Sequence, residues 1–218
     1  MSGSPVNTRR YSSPLREAQA RATSGRVVAA ARALVVERGY AGVTMADIAA
    51  AAGVSVPLLY KVFGPKPDLV KRVYDVTLAG DDEPVPMAQR PAVAAIAADP
   101  DPRGKIARYA RMGRELAERA GPLATALRVA ARAGEVELRA FLETTDAERL
   151  TGATRFVEHL AAVGALRPGL PVGHARDTVW LTISPEVHAL LVADRGWTHD
   201  EYEAWLARTL AAALLPGP

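Results

Sequence analysis

The sequence contains no cysteine among its 218 residues. This absence excludes disulfide bonds, catalytic thiolates and cysteine-ligated zinc sites. No apolar run reaches the roughly 18 residues that a membrane-spanning helix needs. The polar segment from Met1 to Pro14 also lacks the apolar core of a signal peptide. The sequence therefore predicts a cytoplasmic protein with no membrane association.

Motifs of common enzyme classes are also missing. The sequence has no P-loop, no GxGxxG motif after a strand and no GxSxG motif. Its four histidines form neither an HExxH motif nor a pair spaced by four residues or fewer. The carboxylates at residues 81–83 lie in a proline-rich stretch, where a solvated acidic turn is expected. We therefore predict no enzymatic activity, cofactor or metal, with an all-helical small-molecule enzyme as the alternative from a different class.

Signals for β-strands are nearly absent. No alternating apolar and polar stretch is flanked by turn dipeptides, and no internal repeat of 20 to 50 residues is visible. Hydrophobic residues make up 49% of the chain and charged residues 23%, which is typical of a globular protein and too apolar for a disordered one. Helical periodicity and helix caps recur along the chain, so the sequence predicts an all-α fold.

Positive charge is concentrated in the first part of the chain. Residues 1–75 contain 11 Lys or Arg and 5 Asp or Glu, a net charge of +6, whereas residues 76–218 contain 16 and 19, a net charge of −3. A basic segment before a mildly acidic body is typical of a polyanion-binding head joined to a separate domain, although chance clustering of surface charge gives the same counts.

Three short helices are predicted near the N-terminus. An apolar period over residues 27–35 indicates the first helix. Thr44 can cap the second helix, with Asp47 as the acid of a capping box. Ser55 can cap the third, with Pro57 in its first turn, where the missing N–H costs nothing.

The second and third helices have the spacing of a helix-turn-helix. Two closely crossing helices need a small residue at the crossing, a turn residue that tolerates positive φ and an apolar anchor on the second helix. Ala49, Gly53 and Leu59 supply these three at the required spacing, and Ile48 and Val54 flank them as apolar residues. The pattern predicts a DNA-binding head.

A larger helical body is predicted after this head. A fourth helix opens at Pro67, and the acidic, proline-rich stretch from Gly80 to Arg90 is predicted to be a loop. Further helices are predicted near residues 91–98, 104–120, 123–133, 135–163, 174–194 and 199–215. Pro185 is expected to kink the penultimate helix or restart it at Ser184.

The segment from Arg26 to Leu69 resembles the DNA-binding domain of the TetR family of bacterial repressors. The shared elements are AARAL at 30–34, GY at 39–40, IA at 48–49, AGVS at 52–55, LY at 59–60, and Phe63, Lys66 and Leu69. The resemblance covers about a fifth of the chain. The remainder is similar to the family only in size and helical character.

The resemblance implies that the third helix enters the major groove of DNA. The implied contacts with phosphates are Thr44 and Lys66. The implied contacts with bases and backbone are Ser55, Val56, Pro57, Leu58, Tyr60 and Lys61. Val56 and Leu58 are apolar where many relatives carry polar or small residues, so we expect base reading to rely more on thymine methyl groups and DNA shape. The alternatives are a core role for Tyr60, solvated side chains for the lysines and a purely structural role for Leu58.

The chain is predicted to divide into three parts. Residues 1–20 are predicted to be a flexible basic arm, residues 21–67 the helix-turn-helix domain, and residues 68–218 a body for ligand binding and dimerisation. Four arginines in and beside the arm are candidates for minor-groove contacts, although such arms are more often plain spacers. These arginines are Arg9, Arg10, Arg16 and Arg21.

The resemblance also implies a homodimer in which the last two helices of each chain form a four-helix bundle. Both helices have wide apolar faces, which fit either this interface or a core within one chain. The residues on these faces are Val179, Ile183, Val187, Leu190 and Leu191 on the first helix and Trp205, Leu206, Leu210 and Leu214 on the second.

A small-molecule pocket among the middle helices is a further implication of the resemblance. Large or polarisable side chains on mostly apolar helices are candidates to line it, although each also fits an ordinary core. These residues are Tyr109, Met112, Phe141, Phe156, His159, Trp180 and His188. Since few of them are polar, we expect a largely apolar effector with one or two hydrogen-bonding groups.

The sequence and the resemblance together predict a bacterial, ligand-responsive transcriptional repressor. It is expected to bind palindromic double-stranded operator DNA as a homodimer and to be released by a small-molecule effector. Two readings of the same fold stay open: a regulator that responds to a partner protein, and one that activates transcription.

Overall fold

The computed structural model describes residues 14–217, with side chains from residue 16 onward. These residues form α-helices and no strand, which confirms the all-α prediction. The N-terminal helices are α1 (Pro14–Arg38), α2 (Met45–Ala52), α3 (Val56–Phe63) and α4 (Lys66–Ala79). The body contains α5 (Pro91–Ala98), α6 (Pro102–Arg132), α7 (Val136–Ala162), α8 (Val172–Thr182), the short α9 (Pro185–His188) and α10 (His199–Leu214).

No single helix within residues 14–217 is long and apolar enough to span a membrane. One pair, α2 with α3, meets that criterion only when the two are joined, and they are bent by 104°.

The caps predicted for α2 and α3 are confirmed. The Thr44 hydroxyl accepts a hydrogen bond from the Asp47 amide at 3.1 Å, and the Asp47 carboxylate accepts one from the Thr44 amide at 2.8 Å. Hydrogen bonds from the Thr44 hydroxyl and amide hold the pKa of Asp47 below its usual value. The Ser55 hydroxyl accepts from the Leu58 amide at 3.3 Å, so both helices start at defined residues.

Helix α1 begins earlier than predicted. The sequence predicts an arm up to residue 20, but residues 14–20 are helical. Residues 16–22 are exposed and have no apolar face, so the periodicity that reveals a packed helix is missing. Proline at the start and the helix-forming run EAQARA favour the helix instead. Arg16 and Arg21 therefore lie on α1, whereas Arg9 and Arg10 lie outside the described residues.

The first of two hydrophobic cores joins the head to the body. It contains inward residues of α1 to α4, the second half of α6 and the start of α7. Ile48, Leu59, Leu69 and Leu127 are fully buried in it. Since α4 and α6 contribute to the same core as the helix-turn-helix, a movement in the body can be transmitted to the head through packed side chains.

The second core holds the rest of the body together. It contains residues of α5, the first half of α6, the second half of α7, α8 and α10. Helix α6 crosses both cores, and the predicted break into two helices at Pro122 is wrong. Pro122 is exposed while Leu123 is fully buried, so core packing continues through the proline. The Arg119 carbonyl, one turn earlier, accepts a hydrogen bond from Arg32 of α1 at 3.0 Å.

The restart predicted at Ser184 is confirmed. Helix α8 begins at Val172 and ends at Thr182, and the Ser184 hydroxyl then caps α9 by accepting from the Val187 amide at 3.2 Å. A π-helical segment, Ala189–Asp194, follows directly. The predicted single segment over residues 174–194 is therefore three successive pieces.

Candidate DNA-binding surface and ligand cavity

Helix α3 is anchored by one face and exposes the other. Leu59 is fully buried and Phe63 is 8% exposed. In contrast, Leu58 is 40% and Tyr60 51% exposed, and Lys61 is also exposed. The alternative of a core role for Tyr60 is therefore wrong. The outward face of α3 presents an aromatic, a cationic and an apolar side chain to the surroundings.

The turn before α3 has the geometry that the sequence pattern predicts. Gly53 has φ +66°, a left-handed conformation that side chains disfavour. Ala49 is 2% exposed at the crossing of the helices, and its carbonyl accepts a hydrogen bond from the Val54 amide at 3.0 Å. This arrangement fixes the direction in which α3 leaves the turn.

The other predicted DNA contacts have different surroundings. Thr44, Ser55 and Pro57 are exposed at the starts of α2 and α3. Val56 is only partly exposed because it packs against the first core, so Leu58 is better placed than Val56 to reach a base.

Lys66 is already engaged within the protein. Its ammonium group donates a hydrogen bond to the Tyr40 carbonyl at 2.6 Å and lies 3.8 Å from the centroid of the Tyr40 ring. Burial lowers the pKa of Lys66. Lys66 therefore ties the start of α4 to the turn after α1, and only its remaining N–H groups are available for a phosphate.

A cavity of about 690 Å³ lies in the body. It extends between α4, the loop after α4, α5, α6 and α7, and its walls are mostly apolar. Four of the predicted ligand-binding residues line it: Tyr109, Met112, Phe156 and His159. The Tyr109 ring stacks on that of Phe156 with centroids 3.9 Å apart. The volume lies within the roughly 300–1,000 Å³ of small-molecule sites.

The other three predicted residues do not line this cavity. Phe141 packs edge-on against Tyr74 behind the wall, with ring centroids 5.2 Å apart. Trp180 lies under the guanidinium of Arg149, which is 4.3 Å from its ring centroid. Both side chains support residues of the wall. The prediction that they line the cavity was wrong because helical periodicity does not distinguish the cavity side of a helix from the core side.

His188 lies between α6 and α10, behind the cavity-lining Gly121, and does not itself line the cavity. Its Nε2 is 3.4 Å from Nδ1 of His199, and its ring packs edge-on against Tyr202. Burial and the neighbouring His199 lower the pKa of His188. Within the described part of the chain, no group of three or more potential metal ligands converges.

A charged cluster that no sequence pattern indicates lies at the end of the cavity nearest the head. Arg128 binds Asp146 at 2.5 Å and Glu186 at 3.1 Å, and Arg149 binds Asp146 at 3.2 Å. Burial raises the pKa of Asp146, but the hydrogen bond and charge of Arg128 outweigh it, so the net shift is downward. The partners are far apart in sequence, and only the fold brings them together.

Replacing Asp146 by Asn is expected to destabilise the protein at neutral pH. The change leaves Arg128 and Arg149 without their shared carboxylate, at an expected cost of about 1–2 kcal/mol, less than for a fully buried pair because the site is partly open to solvent. The pKa of Asp146 is lowered in the folded protein, so its contribution is present above the unfolded pKa of about 3.9 and is lost as the pH falls through the lower folded value.

Thermal unfolding of the wild type and the variant at pH 7 and at pH 3 measures this effect. The difference in Tm is expected to shrink at the lower pH. Asp177→Asn is the matched control, since Asp177 is 59% exposed and, among the residues that the structure describes, its ion pair is with the adjacent Arg176. It is expected to change stability by less than about 0.5 kcal/mol. Equal effects of the two substitutions would contradict a structural role for the cluster.

Helix α4 links the cavity to the head. Leu69, Val70 and Val73 are buried in the first core, while Tyr74 and Leu78, further along the same helix, line the cavity. The Leu78 carbonyl accepts a hydrogen bond from the Arg119 guanidinium of α6 at 3.1 Å. A molecule in the cavity therefore touches the helix that packs under the helix-turn-helix.

The predicted dimer face divides into inward and outward residues. Val179, Leu206, Leu210 and Leu214 are fully buried in the second core of a single chain. They are therefore core residues, because the other helices of the body already cover them. The predicted residues with exposed surface are Leu190, which is 57% exposed, and the partly buried Ile183, Val187, Leu191 and Trp205.

A short helix with an exposed face, joined through packed helices to a body with a cavity, is the arrangement of a helix-turn-helix head on a larger helical body. The family of bacterial regulatory proteins described as the tetR family matches residues 27–73, which confirms the resemblance found in the sequence. The chain has the fold of TetR-family transcriptional regulators. The curated proteins contain no significant match.

Solved structures support this fold over nearly the whole chain. A TetR-family regulator from Rhodococcus sp. matches with a TM-score of 0.67 and 18% identity, covering 88% of this chain and 98% of its own. The transcriptional regulator FadR from Bacillus subtilis in complex with stearoyl-CoA matches with a TM-score of 0.68 and 20% identity, covering 85% and 96%. The ketosteroid transcriptional regulator KstR2 of Mycobacterium tuberculosis matches with a TM-score of 0.59 and 18% identity, covering 89% of this chain and 95% of its own.

Proposed function

We propose that this chain is a transcriptional repressor that binds a palindromic operator as a homodimer and is released from it by a small, largely apolar effector. The observation that carries the proposal is the outward face of α3, which exposes Leu58, Tyr60 and Lys61 on a helix of the head. These side chains are free to enter a duplex groove, and residues 1–75, which include the head, have a net charge of +6 against −3 for the rest of the chain.

The contacts in this complex follow from the exposure of each residue. Leu58 and Pro57 are expected to touch base edges, with Leu58 favouring a thymine methyl group. Tyr60, Lys61, Thr44 and Ser55 are expected to bind phosphates or bases, and the capped start of α2 points its amides toward the backbone.

Release by an effector follows from the position of the cavity. Tyr74 and Leu78 form part of its wall, and the same helix packs under α3 through the first core. A ligand that fits only one position of α4 shifts the balance between head orientations by its differential affinity for them. FadR, a protein of this fold, has been solved in complex with stearoyl-CoA, which carries a long apolar acyl chain, and KstR2 is named as a ketosteroid regulator, so an effector with a large apolar part is in keeping with this fold.

A two-fold homodimer places two copies of α3 on one side of the DNA. Two such helices reach successive major grooves when they are about 34 Å apart, and this spacing requires a symmetric operator. We propose that the interface lies on the exposed parts of α8, the π-helical segment and α10. Leu181 and Leu190 are each 57% exposed there and have apolar surface to bury in a partner.

Selection of random-sequence duplexes by the purified chain tests this function. The expected result is a recurrent motif with two inverted half-sites about one helical turn apart, bound by two chains per duplex. A screen of apolar compounds should then yield one that raises Tm and weakens DNA binding. Asymmetric motifs bound by a single chain would contradict the homodimer, and selection of no motif would contradict operator recognition.

A further inference from the structure

The lining of the cavity extends along two long helices. Its walls follow α6 from Tyr109 to Arg128 and α7 from Thr145 to His159. At 1.5 Å per residue, these stretches are roughly 28 Å and 21 Å long. The apolar residues between the ends include Met112, Leu116 and Ala117. This shape suits a linear molecule with an apolar chain better than a compact one.

The two arginines at the end nearest the head are already paired with carboxylates, and only their buried Nε atoms have no hydrogen-bond partner among the described residues. Arg128 is neutralised by Asp146 and Glu186, and Arg149 donates to Asp146 and to the Trp180 carbonyl. Arginines that are paired in this way have little to gain from an added anion, which must displace an existing partner.

The opposite end differs in that its arginine has no carboxylate partner in the part of the chain that the structure describes. Nε2 of His159 is buried and has no hydrogen-bond partner among residues 14–217. Over the same range, the Tyr109 hydroxyl makes no hydrogen bond and Arg155 forms no hydrogen bond or salt bridge. Arg155 and His159 are four residues apart on α7, so their side chains lie next to each other on one face. Arg155 is exposed at the mouth of the cavity, whereas Nε2 of His159 is buried, so an unpaired cation lies beside a buried polar atom that has room for a ligand's polar group.

The charged residues on the rim of the cavity also distinguish its two ends, with the negative charge nearer the head and the positive charge farther from it. Glu148 lines the cavity seven residues before Arg155, about 10 Å closer to the head along α7. A carboxylate near Glu148 would be repelled, whereas one near Arg155 would be attracted. The two rim charges therefore favour one orientation for an anionic molecule.

We propose that the effector is a long-chain carboxylic acid whose carboxylate is held by Arg155 and His159, with its chain running along α6 toward Tyr74 and Leu78 of α4. This inference rests on the proposed function, because it assumes that a small molecule fills the cavity. It adds the chemical class of the ligand and its direction, with the end of the alkyl chain against the helix that supports the head.

Binding of hexadecanoic acid, its methyl ester and its coenzyme A thioester to the full chain tests the proposal. The acid is expected to bind at least about tenfold more tightly than the ester, because only a carboxylate can form charge-assisted hydrogen bonds with Arg155 and His159. Arg155→Gln and His159→Phe are each expected to weaken the acid by about tenfold and to leave the ester unchanged. Arg167→Gln, an exposed arginine outside the cavity lining, is the matched control and should change neither.

The outcomes separate this inference from the proposed function. Equal binding of acid and ester, or a thioester that binds more tightly than the acid, would overturn the carboxylate site, and so would the absence of acid binding. If the acid binds through Arg155 and leaves DNA affinity unchanged, the ligand class stands and the release mechanism fails. If another apolar compound releases DNA and no acid binds, the release mechanism stands and the ligand class fails.

Discussion

Replacing Lys61 by Glu is expected to weaken operator binding by roughly a hundredfold at 0.1 M salt, because a homodimer carries the change twice and each copy loses a DNA contact worth about 1 kcal/mol or more. Lys61 is exposed on α3 and makes no ion pair among the described residues, so the fold does not depend on it. Fluorescence anisotropy titrations with a selected duplex measure the loss. The dependence of affinity on salt should also become less steep.

Arg167→Glu is the control for this change of charge. It alters the net charge of the chain by the same amount, and Arg167 is exposed in the body beyond α7. Its expected effect on affinity is less than about threefold, since charges farther apart than the Debye length of about 10 Å are screened. Equal losses for Lys61→Glu and Arg167→Glu would show that net charge, and not contact through α3, determines binding.

Two neighbouring leucines of α3 are expected to respond in opposite ways to substitution by alanine. Leu59 is fully buried on the inner face of α3. Leu59→Ala should therefore lower the free energy of unfolding by about 2–5 kcal/mol and lower Tm by on the order of 10 °C. Leu58 is 40% exposed, so Leu58→Ala should change stability by less than about 1 kcal/mol and change which operator sequences are preferred. Thermal unfolding and selection of duplexes measure the two effects.

Each leucine serves as the control for the other, because the two substitutions remove the same atoms from adjacent residues. A large loss of stability on Leu58→Ala would mean that its side chain is packed in the folded protein. A Leu59→Ala variant as stable as the wild type would mean that the first core does not extend under α3. Unchanged site preference in Leu58→Ala would remove Leu58 from the base contacts.

The head was largely predictable because its signals are local. The capping box of Thr44 and Asp47, the cap of Ser55 and the left-handed Gly53 each depend on residues within one or two turns. The side of α3 that faces outward also followed from sequence, because Leu59 matches the apolar anchor of the turn. Local signals of this kind are largely independent of the rest of the fold.

The body was less predictable because its geometry depends on long-range packing. Pro122 was expected to end a helix, but residues on both sides of it are held by packing against other helices, and α6 continues. The ion pairs of Arg128 and Asp146 join separate helices, and sequence spacing does not show them. For the same reason, apolar periodicity identified packed faces in α7, α8 and α10 without showing whether each faced a core, the cavity or a partner.

The most direct test of the account is photo-crosslinking of the chain to a selected duplex. A photoreactive amino acid in place of Leu58 is expected to crosslink efficiently to the DNA, while the same group in place of Val163, which is 52% exposed at the end of α7, is expected to give none. Crosslinking from position 163 and none from position 58 would contradict the central claim that the outward face of α3 binds the duplex.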